Sequence, residues 1–250
     1  MCYDMSFFSN IKLVSDYLAM EDVPTLDFGP TYHRVAQSFQ DWPVALYENG
    51  YKIKLFEWGL IADHMNTPEK IKEYRMSMAN ARSEKILGDR RSVWHRLRHQ
   101  RCLVFTTGFF EHHDAGLKKK TPYFIHVKDQ PVFCIAGLYN YSPVPDPNTG
   151  EIKGTFAVVT RAANEMMARI HNSGPNAGRM PLVLTQELAC QWLDPQLSDE
   201  GIEAILQYEI PSSALEAWPV NTIRRPKEDN EEVIRKVAVE DSGKGLLFEF

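Results

Sequence analysis

Four apolar, strand-like runs follow one another closely in the middle of the chain, at 101–107, 123–127, 132–139 and 156–160. Gly108, the lysines at 118–120, Asp129-Gln130-Pro131 and the Pro- and Gly-bearing stretch 143–150 punctuate them as turns. The runs mix with short helical patterns and show no regular βαβ rhythm. That spacing predicts an α+β fold with a mainly antiparallel sheet. Ile11, Val14, Tyr17 and Leu18 give 10–20 a helical period, and 67–78 carries Thr67 as N-cap with Pro68 at the first helical position. Further helices are expected at 92–100, 162–170 and 185–192, the last two flanking a strand at 181–184. Residues 51–55 alternate like a half-buried strand leading into Phe56-Glu57-Trp58-Gly59-Leu60. The charged stretch 226–236 reads as an exposed helix or partly disordered tail, and 246–250 is apolar enough to dock.

Length and composition bound the class. At 250 residues, with 44% hydrophobic and 24% charged, the chain can bury a substantial core and reads as an ordinary soluble globular protein. No apolar run approaches the ~18 residues of a membrane span. The N-terminus lacks the basic and apolar segments of a signal peptide, so a cytoplasmic location is expected. The four cysteines are scattered without a C-x-x-C pair, which argues against a zinc ribbon or redox motif. Cys102 and Cys134 sit in strand-like runs, Cys190 in a helix-like one, and no disulfide is expected. A net charge of −5 excludes a wholly basic nucleic-acid binder but leaves room for a local basic cleft.

The chain opens Met1-Cys2. Clipping of the methionine would give Cys2 a free α-amine beside its thiol. This 1,2-aminothiol can trap an aldehyde as an imine and then as a thiazolidine, or the thiol alone can serve as a hydrolytic nucleophile. Three other segments carry chemistry-bearing side chains. Asn80-Ala81-Arg82-Ser83-Glu84 offers an amide and a guanidinium able to fork onto phosphate. Gly108-Phe109-Phe110-Glu111-His112-His113 places a carboxylate after two aromatics, where desolvation would raise its pKa towards acid/base use. Adjacent histidines on extended backbone point opposite ways, so His112 and His113 do not read as a metal pair. His171 follows a helix and precedes a Gly/Pro/Asn loop leading to Arg179-Met180-Pro181-Leu182-Val183-Leu184. The basic stretch 90–101 reads as a solvated helix or a phosphate-binding face, and Arg96 after His95 breaks the metalloprotease pattern. No GxxxxGK(S/T), GxGxxG or GxSxG occurs.

In this order, Cys2, Trp58-Gly59-Leu60, Asn80-Ala81-Arg82-Ser83-Glu84, Gly108-Phe109-Phe110-Glu111, His171 with 179–184, and Trp218-Pro219-Val220-Asn221 resemble the SRAP family, named for SOS response-associated peptidase. The likeness spans roughly residues 1–223, so residues 1–225 are expected to form one domain and 226–250 a charged extension docked on it or trailing from it. The resemblance implies a mainly antiparallel, barrel-like sheet core with surrounding short helices. It also implies a DNA-damage-response protein that binds single-stranded DNA and crosslinks to abasic sites, without metal or organic cofactor. On the family pattern Cys2 is the nucleophile, Asn80 holds the cysteine and sugar, Glu111 is the general acid/base, and His171 moves protons at the deoxyribose. Arg82 matches the family's phosphate-contacting arginine, and Trp58, Phe109 and Arg179 are also expected to contact DNA. A monomer is expected.

The chain also departs from the family. The usual opening Cys-Gly-Arg is here Cys2-Tyr3-Asp4, which exchanges a phosphate-binding cation for an anion expected to repel DNA. Asn-Val-Ala-Pro becomes Arg34-Val35-Ala36-Gln37, the residue after Glu111 is His112 rather than Trp, and the loop after His171 is longer. Two rival readings are a cysteine peptidase or autopeptidase using Cys2, Glu111 and His171, and a non-catalytic single-strand binder.

Overall fold

The structure is a computed structural model, and it describes residues 2–116, 120–224 and 228–238. The expected docking of 246–250 therefore lies outside the described residues, as do Lys118 and Lys119 of the expected turn. The strands are β1 (Asp4–Phe7), β2 (Thr31–Val35), β3 (Asp41–Tyr47), β4 (Tyr51–Trp58), β5 (Asn80–Arg82), β6 (Arg101–Thr106), β7 (Gly108–His113), β8 (Thr121–Val127), β9 (Phe133–Tyr141), β10 (Gly154–Ala162), β11 (Arg179–Pro181), β12 (Val183–Leu184) and β13 (Leu215–Pro219). The helices are α1 (Ile11–Tyr17), α2 (Pro68–Tyr74), α3 (Glu84–Leu87), α4 (Val93–Arg96), α5 (Glu165–Ile170), α6 (Gln186–Leu193) and α7 (Asp199–Leu206).

Short polar side chains start most of these helices. Asn10, Thr67, Ser92, Asn164, Thr185 and Ser198 each accept a backbone N–H two or three residues on. Each satisfies a donor that the first helical turn leaves unpaired. The expected helix at 67–78 breaks into α2 and a 3₁₀ turn at Arg75–Met78. The one expected at 92–100 is a single turn, α4, because the chain must turn to enter β6. His95 Nδ1 is held by the Ile86 carbonyl at 2.9 Å. Arg101 spends its guanidinium on the Trp192 and Asp194 carbonyls at the end of α6. The expected phosphate-binding role of this stretch therefore loses Arg101 to helix capping.

Two sheets make up the fold. One is antiparallel throughout, in the order β13-β8-β7-β1-β2. In the other, β10 bonds to both β4 and β9, so β10, β4, β3, β6 and β9 close into a ring. The pairing is mainly antiparallel, as the sequence implies, with β10 alone running parallel to two partners, β4 and β5. Trp42, Trp58, Trp192, Phe105 and Phe156 fill the core. A second, smaller core gathers Phe110, Phe124, Val220, Ile223 and Val233.

That second core takes in the segment 228–238. Trp218 Nε1 donates to the Ile234 carbonyl at 2.7 Å, and Val220 bridges to Lys236. The Asp229 carboxylate accepts from Thr31 Oγ1, Tyr32 N and His33 N at 2.8, 2.8 and 2.9 Å. The Asp229 carboxylate thus fastens this segment to β2, and Tyr32 of β2 packs on the same small core as Val233.

Candidate active site

The site is built where β1 crosses β7. Met5 pairs with Phe109 and Ser6 with Gly108. The same register, carried back along β1, sets Tyr3 against Glu111. Buried hydroxyls lock the crossing: Thr106 Oγ1 donates to the Ser6 carbonyl at 2.8 Å, and Ser6 Oγ meets Thr107 Oγ1 at 2.9 Å. Gly108 is required because a Cβ there would lie 2.2 Å from Phe124 Cζ. Phe109 and Phe110 are both buried and fix the strand that carries Glu111 inward.

Glu111 is itself buried. Burial, with Asp4 acting in the same direction, pushes its carboxyl up to about 8. His171 caps the end of α5 and is also buried. Its Nδ1 lies 2.8 Å from the Arg179 carbonyl. A carbonyl only accepts, so Nδ1 carries a hydrogen, and in the neutral ring Nε2 keeps its lone pair. Burial lowers the His171 pKa, which favours that neutral ring at pH 7.

Cys2 is fully buried, with Sγ 3.9 Å from the Asp4 carbonyl. Burial first, and the Glu111 charge second, push its thiol pKa well up. The side chain is therefore a thiol and not a thiolate at neutral pH. Asn80, at the start of β5, is 6% exposed, and neither atom of its amide finds a partner among the described residues. A buried amide with both ends open is costly in a folded chain. It has the hydrogen-bonding capacity of a group that waits for a ligand.

A cavity of about 420 Å³ opens over Glu111 and His171, lined also by Tyr3, His112, Asn176 and Arg224; Cys2 and Asn80 are not among its lining residues. Arg82 is exposed and reaches it through Asn176, whose Oδ1 accepts from the guanidinium at 3.0 Å.

Asp4 does not stand in this cavity as a free anion. It is 3% exposed. His33 Nε2 lies 2.8 Å from its Oδ1, and Arg224 closes a two-pronged pair on it at 3.0 and 3.1 Å. The expectation that Asp4 repels DNA is thereby corrected, because its charge is matched by a guanidinium.

The remaining expected contacts divide. Trp58 is 1% exposed, stacks on Phe156 and donates to the Ala79 carbonyl at 3.0 Å. Phe109 is 0% exposed. Neither has a face free for a base, so both expectations give way to core roles. Gly59, after Trp58, has φ +108° and the Phe39 ring within 2.8 Å of where a Cβ would stand, so the Trp58-Gly59-Leu60 motif is a packed turn. Arg179 pairs with Glu84 at 2.5 and 3.0 Å and donates to the Thr160 carbonyl at 2.6 Å. Its side chain is committed within the fold, while its carbonyl orients His171. The sequence reading passed over His33, Lys120 and Arg224.

A buried carboxyl group and a buried imidazole thus face one cavity next to β1, the strand that Cys2 precedes. The family profile for the SOS response associated peptidase (SRAP) matches residues 1–223, and the chain belongs to that family. It is similar to the abasic site processing protein YoqW of Bacillus subtilis, 27% identical over 238 residues, covering 94% of this chain and 99% of that protein. With the abasic site processing protein YedK of Escherichia coli it shares 31% identity over 165 residues, 64% of this chain and 68% of that one. A crystal structure of a protein from Bacteroides thetaiotaomicron superposes with a TM-score of 0.81 at 28% identity, covering 95% of this chain and all of that one. Among the described residues no helix is long and apolar enough to cross a membrane.

Proposed function

We propose that this protein processes abasic sites in single-stranded DNA by capturing the ring-opened sugar aldehyde on Cys2. The observation that carries the reading is the acid–base pair beside β1: Glu111 and His171, both buried and 3.7 Å apart, at the cavity that Tyr3 also lines. The names of the YoqW and YedK relatives support it.

Removal of Met1 would free the Cys2 amine. The amine nitrogen adds to the aldehyde carbon and sheds its two protons over the two steps, while the carbonyl oxygen takes a proton. That oxygen leaves as water once it is protonated again, giving an imine. Glu111, held up to about 8, is the group able to supply this proton at neutral pH. The Cys2 sulfur then adds to the imine carbon, and its proton passes to the nitrogen. The sum is aldehyde plus aminothiol giving thiazolidine plus water, with no change of oxidation state. His171, with Nε2 open, serves to move the proton that opens the sugar ring. Asn80 supplies the amide that holds the sugar oxygens, and Arg82 meets a backbone phosphate.

A cysteine-peptidase reading needs a thiolate, whereas burial keeps Cys2 a thiol. The deciding experiment incubates the protein with single-stranded DNA carrying one abasic site and resolves the product on a denaturing gel. A slow-migrating covalent band is expected. Peptide cleavage without that band selects the peptidase, and reversible retention alone selects a simple binder.

A further inference from the structure

The family match covers residues 1–223, and Arg224 is the next residue. Its guanidinium lines the cavity beside Tyr3, Glu111 and His171. The geometry points to Arg224, clamped by Asp4 and joined by Lys120, as a phosphate-binding site at the mouth of the cavity. This rests on the reading of the cavity as a nucleic-acid site.

Three observations carry it. First, the guanidinium is oriented from behind. Its two terminal nitrogens each give one hydrogen to the buried Asp4 carboxylate. Of the five donors of an arginine, three remain uncommitted among the described residues. The side chain is 53% exposed although Asp4 is only 4% exposed, so the free donors face the open side. A fork fixed on one carboxylate loses less freedom when it meets a second oxyanion than a loose arginine would.

Second, the clamp is itself braced. Asp229 accepts three hydrogen bonds from β2, and β2 delivers His33 Nε2 to the same Asp4 oxygen that Arg224 holds. Residues 224 and 229 thus grip the domain on both sides of this contact. A surface ion pair without such bracing would hold no fixed geometry.

Third, a second cation faces the same space. Lys120 Nζ lies 2.7 Å from Ser173 Oγ and 3.7 Å from Asp114 and lines the cavity with Arg224. Burial first, then the Arg224 charge, lowers the His112 pKa, and Lys120 acts in the same direction. His112 lines the same cavity as the two cations.

A purely structural role for Arg224, neutralising a buried carboxylate, makes a different forecast. The test measures equilibrium binding of a single-stranded oligonucleotide carrying one tetrahydrofuran abasic analogue, which cannot form an imine. Affinity is followed against salt concentration for the unaltered protein, Arg224→Ala and the double variant Asp4→Asn/Arg224→Ala. The double variant removes a cation and an anion together, so the long-range field is kept and no buried charge is stranded. Loss of one phosphate contact should lower the log–log salt slope by ~0.7 in the double variant and weaken binding several-fold at low salt. A double variant that melts like the unaltered protein and keeps its affinity and slope overturns the assignment. If the slope falls but authentic abasic DNA gives no covalent band, the phosphate site stands and the capture reading fails.

Discussion

His171 Nδ1 stands 3.7 Å from Glu111 Oε1, yet gives its hydrogen to the Arg179 carbonyl at 2.8 Å. Burial drives the two groups in opposite directions, the carboxyl up and the imidazole down. Both therefore tend to their neutral forms near pH 7. The pair offers a proton on one side and a lone pair on the other, which an ion pair would not.

Capture should therefore slow as pH rises through about 8, where Glu111 loses its proton. Glu111→Gln should slow crosslinking by roughly 10²-fold and remove that alkaline limb. Stability follows the same group. Its folded pKa is raised, so the stability it contributes is full below the usual carboxylate range and is lost as pH rises towards about 8. Melting curves across this window should decline less steeply for Glu111→Gln. Identical pH profiles for the two proteins would reduce Glu111 to a packing residue.

Cys2→Ala should abolish the covalent band while leaving most reversible binding, because the thiol supplies the ring-closing bond and cations supply affinity. Cys2→Ser keeps an amine able to form the imine. Borohydride should trap that adduct, which should otherwise hydrolyse. A stable adduct from Cys2→Ala without reduction is the result that removes Cys2 from the chemistry.

Asn80→Ala should separate function from stability. The amide is buried without a partner among the described residues, so its loss relieves a cost that offsets the small cavity it leaves. Stability should change by no more than about 1 kcal/mol. Capture should fall on the order of tenfold, the worth of one good hydrogen bond to the sugar. A variant that unfolds but captures normally when folded would show a structural amide instead.

Asp4→Arg should destabilise the protein rather than improve its grip on DNA. The substitution sets a second guanidinium against Arg224 and His33 in a buried position. The expected loss is about 3 kcal/mol, at the lower end for a broken buried pair because Arg224 is half exposed. Chemical denaturation measures it. An unchanged midpoint with tighter single-strand binding would restore Asp4 as a simple repulsive charge.

Local chemistry made much of the fold legible. Thr67 before Pro68, Thr185 and Asn10 announce helix starts, and the close spacing of β6 to β10 announces an antiparallel sheet. β3 escaped notice because it is buried along its length between Asp41 and Tyr47 and so shows no alternation, and Pro43 argues against a central strand. Asn49-Gly50, with φ of 53° and 118°, was the hairpin signal that could have found it. Trp58, expected on DNA from its family motif, is a core residue. Its strand lies between β3 and β10, and its ring faces the core. The partners of Asp4 were beyond sequence reading for a plainer reason. They lie 29 and 220 residues away, and only folding brings them together.

The burial of Cys2 has a bearing on how long the protein lasts in use. Peroxide attacks thiolates that it can reach, and the ladder from sulfenic to sulfonic acid ends irreversibly. A sulfur with no exposed surface, held in its protonated form, is a poor target for oxidants. Oxidants that damage DNA would then consume exposed, acidic thiols first and leave this one intact. On the proposed capture reading the thiol is consumed by the carbonyl it traps, so its preservation counts for more than its speed.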